Sequence, residues 1–333
     1  MRVAIVGCGL IGGKRAKSIA ALGHRVVATA DAVPERAAAL ANSYPGCVSS
    51  GDWKEIVRRD DADAVVVATI NDSLAAIALG AIEAGKNVLV EKPAARSASE
   101  LRPVVAAAKA MGVTVRVGFN HRFHPALLKA RTLVDEGACG PLMFVRGRYG
   151  HGGRVGYDRE WRSDPALAGG GELLDQGVHL IDLTRWFLGD VTAVSGFATT
   201  FFWDMPVEDN GFVCTHHTGG QVGWLHASCS EWKNLFCLEI YGRTGKLQID
   251  GLGGSYGVER LAYYRMLPAM GPPETTIWEY PGEDGSWNAE FRDFERATNG
   301  EAGPGATLSD AVAALDVVAR VYTQSKPAKP QAA

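Results

Sequence analysis

Apolar residues fall into two distinct rhythms along this chain. Over the first 120 positions, short β-branched runs at residues 3–6, 25–30, 64–68, 87–90 and 114–117 are apolar on both faces. Alanine-rich stretches with helical spacing separate them, at 12–22, 34–44, 73–84 and 97–111. Strands apolar on both sides and linked by helices predict βαβ units around a buried parallel sheet. A doubly wound domain over 1–120 is the expectation.

The rhythm then changes. After a helix expected at 125–136, longer runs at 142–148, 191–202, 211–218, 221–230, 236–241 and 246–250 read as strands with few helices between them. Tight turns such as Thr218-Gly219-Gly220 favour antiparallel pairing. One helix is expected at 172–188, and two more close the chain at 287–299 and 308–325. The fold class is therefore α/β, with a second α+β domain over 121–325 built on an open, mainly antiparallel sheet. The Lys-Pro-rich segment 326–333 is expected to fray. No internal repeat is present.

Composition narrows the function classes. With 333 residues, 47% hydrophobic and 21% charged, the chain is ordinary for a globular protein. A net charge of -3 offers no global attraction for nucleic acid or an acidic membrane. No apolar run approaches the ~18 residues of a membrane helix. The first strand follows Met1 directly, so no signal peptide is expected. The six cysteines form no C-x-x-C pair, so reduced thiols and a cytoplasmic location are expected. Cys214, His216, His217, His226 and Cys229 invite a zinc reading, but period-two alternation sets His217 opposite Cys214 and His216, and no spacing matches a zinc site. No metal is expected.

Chemistry concentrates in three segments. Gly7-Cys8-Gly9-Leu10-Ile11-Gly12 follows the first strand and opens the first helix. The first glycine permits a tight turn, the second lets backbone approach a pyrophosphate, and the third allows close helix–strand packing. The helix N-terminus then aims N–H groups at the anion. Asp31 ends the second strand, where a carboxylate bonds the adenosine ribose and disfavours a 2′-phosphate. NAD is preferred. Arg36, one turn on, leaves NADP open.

Glu91-Lys92-Pro93 lies at the carboxyl edge of the predicted sheet, where open α/β folds bind ligands. A lysine there can reach a substrate hydroxyl and the nicotinamide ribose; an exposed turn lysine is the plainer alternative. Three glycines, Gly169 to Gly171, precede a segment in which Asp175, His179 and Asp182 recur at i, i+4 and i+7. One helix face would present all three, and a carboxylate one turn from an imidazole suits a general acid–base pair. A capping aspartate and a packed core histidine are the alternative.

Together with Gly118-Phe119-Asn120-His121-Arg122-Phe123-His124-Pro125, these motifs resemble, in order and spacing, the glucose–fructose oxidoreductase, inositol dehydrogenase and rhizopine-catabolism (Gfo/Idh/MocA) family. The resemblance spans essentially the whole chain. It implies a Rossmann domain, a second domain whose open sheet pairs subunits into dimers or tetramers, and NAD(P) as cofactor. It matches Lys92 to the active-site lysine and Asp175 with His179 to the catalytic pair. It also puts Asn120 and Arg122 near nicotinamide and substrate, and Trp161-Arg162 in the sugar pocket. One segment departs: where the family often reads Thr-Pro-Asn with His three residues on, this chain has Thr69-Ile70-Asn71 and then Leu74. Thr69 and Asn71 can still line the cofactor cleft.

The expected activity is an NAD(P)-dependent dehydrogenase acting on CH–OH groups of a sugar, inositol or derivative. His179, oriented by Asp175, would take the hydroxyl proton while Lys92 steadies the same oxygen. Arg148, Tyr149, His151, Tyr157, Trp161 and Arg162 mix flat aromatic faces with forked donors, which suits a pyranose. Two other readings stay open: an NAD-dependent glycosidase working by transient oxidation, and a non-catalytic NAD(P)-binding sensor.

Overall fold

The computed structural model describes residues 1–325; the tail expected at 326–333 lies outside them. The chain divides into two compact units, Met1–Asn120 with Trp287–Ala313, and His121–Ser286 with the residues from 314 onward.

The first unit is a six-stranded parallel sheet ordered β3-β2-β1-β4-β5-β6. Its strands are β1 (Arg2–Val6), β2 (Arg25–Ala30), β3 (Val48–Ser50), β4 (Ala64–Val67), β5 (Asn87–Glu91) and β6 (Val115–Gly118). The crossover helices are α1 (Leu10–Ala21), α2 (Pro34–Ala41), α3 (Trp53–Val57), α4 (Asn71–Glu83) and α5 (Ala98–Met111). This is the strand order of a dinucleotide-binding doubly wound fold, with its switch point between β1 and β4. The short β3 and α3 were not expected from the pattern, because three and five residues are too few to show a period. The core joins Val3, Ile5, Val66 and Leu89 of the sheet to Ile19 of α1. It also takes Phe291 and Phe294 from α9 (Ser286–Thr298), far along the chain.

The second unit holds an eight-stranded sheet ordered β14-β13-β12-β11-β7-β10-β9-β8. The strands are β7 (Leu142–Gly150), β8 (Val191–Thr199), β9 (Asn210–His217), β10 (Val222–Ser228), β11 (Leu235–Gly242), β12 (Gly245–Asp250), β13 (Glu259–Arg265) and β14 (Glu274–Tyr280). Only β7 and β10 pair in parallel. The helices α6 (Pro125–Asp135) and α8 (Val178–Leu188) pack on one face, α6 over β12 to β14 and α8 over β7 and β10. The opposite face is open, with Phe144, Arg146 and Arg148 of β7 and Trp224 of β10 exposed. The remaining helices are α7 (Pro165–Ala168) and α10 (Leu308–Gln324); the division between units falls inside α10.

Two expected elements differ. The strand expected at 191–202 ends at Thr199, because the Asp209 carboxylate accepts from the N–H groups of Phe201, Phe202 and Trp203 and turns the chain there. The helix expected at 172–188 is not uniform: Leu173–Gly177 is a π-helical turn, and regular α geometry begins only at Val178. Strands β13 and β14 were missing from the pattern. Among the described residues, no helix is long and apolar enough to cross a membrane.

Candidate active site

In the first unit the glycine motif forms an open anion cradle. Gly7 adopts φ +95°, and a Cβ there would lie 2.4 Å from the Ala68 carbonyl oxygen. A Cβ on Gly12 would sit 1.9 Å from the Gly7 oxygen, so α1 can start this close to β1 only with glycine at that position. A Cβ on Gly9 would meet nothing within 4 Å: the turn's outer side is clear for a ligand. The N-terminus of α1 has no side-chain cap and no acidic residue in its first turn. Its N–H groups, beside exposed Leu10 and half-buried Ile11, fit a pyrophosphate.

Asp31 closes the cradle from β2. One carboxylate oxygen accepts from Cys8 N–H at 2.7 Å and the other from Val33 N–H at 2.9 Å. An ionised carboxylate has about four acceptor sites, so capacity remains for ribose hydroxyls. Burial, with the Asp31 charge adding to it, pushes the Cys8 thiol up to about 12, so it is neutral. Arg36 is exposed on α2. Thr69 follows β4 beside Gly7 and accepts from the Ser73 hydroxyl at 3.0 Å, and Asn71, buried, opens α4. Asn120 is buried at the end of this unit.

Sequence reasoning missed what holds the Glu91-Lys92-Pro93 turn. The guanidinium of Arg15, fully buried on α1, binds Glu91 through Nε at 2.6 Å and Glu290 of α9 through Nη1 at 2.5 Å. Trp287 covers the Arg15 guanidinium at 4.5 Å. Lys92 itself is half-buried, and the Lys92-Pro93 peptide is cis.

In the second unit, polar and aromatic side chains gather on the helix-covered face of the sheet. His179, on the first turn of α8, is buried, and His121 stacks on it with ring centroids 3.7 Å apart and planes at 25°. Tyr149 meets His121 edge-on at 5.1 Å and also packs on Tyr256 at 5.2 Å. Burial raises both phenols' pKa, leaving them protonated as hydroxyl donors. Asp175 lies in the π turn and accepts from Arg162 Nε at 3.0 Å; Arg162 in turn stacks on Trp161 at 4.5 Å. Tyr157 is buried with its hydroxyl 3.5 Å from Glu172, whose other oxygen lies 3.6 Å from His151 Nε2. Burial raises the Tyr157 pKa too, and the Glu172 charge adds to it.

The π turn has its own support. Gly171 and Leu173 donate their N–H groups to Glu208 at 3.0 and 3.1 Å, and the Tyr322 hydroxyl donates to the same carboxylate at 2.7 Å. A Cβ on Gly171 would lie 2.0 Å from the Glu208 carbonyl oxygen, which accounts for glycine at that position.

Two expected substrate contacts have different surroundings. Arg148 alternates with Tyr149 on β7 and is exposed on the open face, away from His121 and His179. Arg122 is buried and bidentate on Asp182, at 2.8 and 2.5 Å, so it ties the 120–123 turn to α8. The sequence pattern marks neither His121 nor Tyr256 on its own: His121 stands inside the 118–125 motif, whereas Tyr256 sits in a glycine-rich loop with no period to mark it. Among the described residues, no group of three or more His, Cys, Asp or Glu is gathered for a metal.

Comparison with known proteins follows the same division. A family model described as an oxidoreductase family with an NAD-binding Rossmann fold matches residues 1–119. A second, the GFO/IDH/MocA C-terminal domain, matches 127–248. Levoglucosan dehydrogenase of Pseudarthrobacter phenanthrenivorans is 34% identical over 55% of this chain and 47% of its own length. Inositol 2-dehydrogenase 2 of Saccharopolyspora erythraea is 34% identical over 61% of each. The chain thus spans between about half and three fifths of those two relatives. A solved levoglucosan dehydrogenase in complex with NADH and levoglucosan superposes with a TM-score of 0.85 at 25% identity, covering 97% of both chains.

Proposed function

The chain belongs to the Gfo/Idh/MocA oxidoreductase family, and from that premise we propose that it is an NAD(P)-dependent dehydrogenase acting on a ring hydroxyl of a sugar, inositol or derivative. The observation that carries this reading is the clear space over Gly9 at an uncapped helix N-terminus, with a ribose-binding carboxylate beside it. NAD is the preferred cofactor because Asp31 would repel a 2′-phosphate. The α1 N-terminus holds the pyrophosphate, Asp31 the ribose, and Thr69, Asn71, Glu91 and Asn120 line the remainder. Arg36 is the residue that would admit NADP.

Bound nicotinamide supplies the hydride acceptor in oxidation and the donor in reduction. Lys92, from the first unit, steadies the reacting oxygen, and His179, with Asp175 one turn before it, takes or gives the hydroxyl proton. Tyr149, Tyr157, Trp161 and Arg162 supply a flat apolar surface and donors suited to a polyol ring. Arg122 and Arg148 are left out of this set. The six free cysteines support a reducing compartment such as the cytoplasm. The open face of the eight-stranded sheet supports assembly with a second copy.

The test is a panel of pyranoses, inositols and glycosides incubated with NAD or NADP, following reduced nicotinamide and free aglycone together. Lys92→Ala and His179→Ala should each lower kcat/KM by about 10²–10⁴-fold, with NADH affinity, read by fluorescence, within about threefold of wild type. Wild-type turnover in both variants would overturn the assignment. Aglycone release with no net NADH would point to the glycosidase reading instead.

A further inference from the structure

We propose that His121 is a positioning residue for His179: the stacked imidazoles share one proton, which resides on His121, and its charge keeps His179 neutral as a base. The inference rests on the role given to His179 above.

The geometry leaves room for one charge only. At a 3.7 Å centroid separation, with both rings buried, two imidazolium ions would repel each other with little screening by water. The aromatic surroundings favour the cation on His121. The His121 ring has two aromatic neighbours, Tyr149 at 5.1 Å and Phe236 at 5.9 Å, whereas Tyr149 is 6.1 Å from His179, so aromatic π density lies nearer to a charge on His121.

Each charged group near the pair has a partner of its own. On its own turn, His124 bonds Glu259 of β13 at 2.9 Å and lies 3.8 Å from Asp284, while Arg122 is bidentate on Asp182 of α8. From the π turn, Asp175 is paired with Arg162, and Glu172 sits beside Tyr157 and His151. Tyr149 and Tyr256 are phenols whose pKa burial raises, so they contribute no charge.

The consequence is kinetic. In oxidation the substrate O–H bond breaks, its proton passes to His179, and the hydride leaves for bound NAD⁺. A base whose neighbour already carries a proton stays neutral to lower pH than an isolated histidine, ordinarily near ~6.5. His121→Phe keeps the stack and removes the titrating nitrogen.

The experiment measures His179 directly and through turnover. In histidine-labelled protein, with His179 assigned by His179→Gln, NMR should show the His179 midpoint rising by about one unit or more in His121→Phe. The acid limb of kcat/KM for oxidation should rise with it, making the variant about tenfold slower than wild type at a pH one unit below the new limb. If His121→Phe does not fold, His121→Asn serves the same purpose. A purely structural role would leave both midpoints in place, and an unchanged or lower His179 midpoint overturns the proposal. Because the NMR arm needs no turnover, it stands apart from the enzyme assignment: retained turnover in His179→Gln sinks that assignment, and the midpoint shift still decides the pairing.

Discussion

The Arg15, Glu91 and Glu290 cluster shows how a residue far from the motifs governs one of them. Two carboxylates share one buried guanidinium, so a full negative charge is left over if both ionise. Burial, helped by Glu91 and opposed by Arg15, pushes the Glu290 carboxyl from the usual 4.5 up to about 7. The folded protein therefore holds a proton that the unfolded chain releases between those values, and this group's contribution falls as pH rises through that window. Glu290→Gln, neutral at every pH, removes that loss. Wild type should lose more thermal stability than the variant between pH 5 and pH 8, by about 2–4 °C or more. Thermal melts at both pH values test this; parallel changes in the two proteins would show that Glu290 is not the group involved. Positions 15 and 91 stood close to or inside motifs, yet no linear spacing joins them to 290. That link exists only because α9 returns to the first unit with Phe291 and Phe294.

At the scale of elements, regular geometry was legible where the apolar period was long and local. The five long strands of the parallel sheet and the helices between them follow directly from alternating runs such as 3–6 and 64–68. β13 and β14 did not, because Glu259, Arg260, Arg265, Glu274 and Glu279 interrupt them with charge, as suits strands near a sheet edge. The candidate site was legible as residue types and spacing, but not as geometry. A uniform helix over 172–188 gave Asp175 and His179 one face. The π turn comes from Glu208, which is remote in sequence and accepts from Gly171, Leu173 and Tyr322. Removing that carboxylate leaves three buried donors without an acceptor. Glu208→Ala should cost about 3 kcal/mol or more in denaturant unfolding, while Tyr322→Phe, which loses one donor, should cost about 1 kcal/mol. Amide exchange at 171–177 should speed up in Glu208→Ala before global unfolding. Protection unchanged at those amides would mean that the turn is held by its own backbone and not by Glu208.

At the scale of the whole molecule, the second unit's sheet has helices on one face only, and what the other face presents bears on assembly. Phe197 of β8 pairs with Phe212 of β9, whose ring stacks on His226 of β10 at 4.3 Å. Next to that row, Trp224 is 65% exposed beside Arg146, and Arg146 bonds Glu239 at 2.6 Å. Glu239 also binds Lys246, so these three charges are paired within the face, while Arg148 stands exposed on it. A face whose aromatics flank the internally paired Arg146, Glu239 and Lys246 can meet its own copy about a two-fold axis with few like charges brought together. The free edge at β8 is less suited to strand addition, since Gln324 and Ser325 donate to or accept from its backbone at Val194, Gly196 and Ala198. Association is therefore expected face to face through the sheet. Trp224→Glu places an unpaired carboxylate at the centre of that surface. In sedimentation velocity it should convert a wild-type dimer or tetramer to a smaller species, with the far-UV circular dichroism unchanged. If wild type sediments as a monomer at tens of micromolar, or if Trp224→Glu leaves a wild-type oligomer intact, the open face is not the contact surface. The exposed aromatics would then require a different occupant.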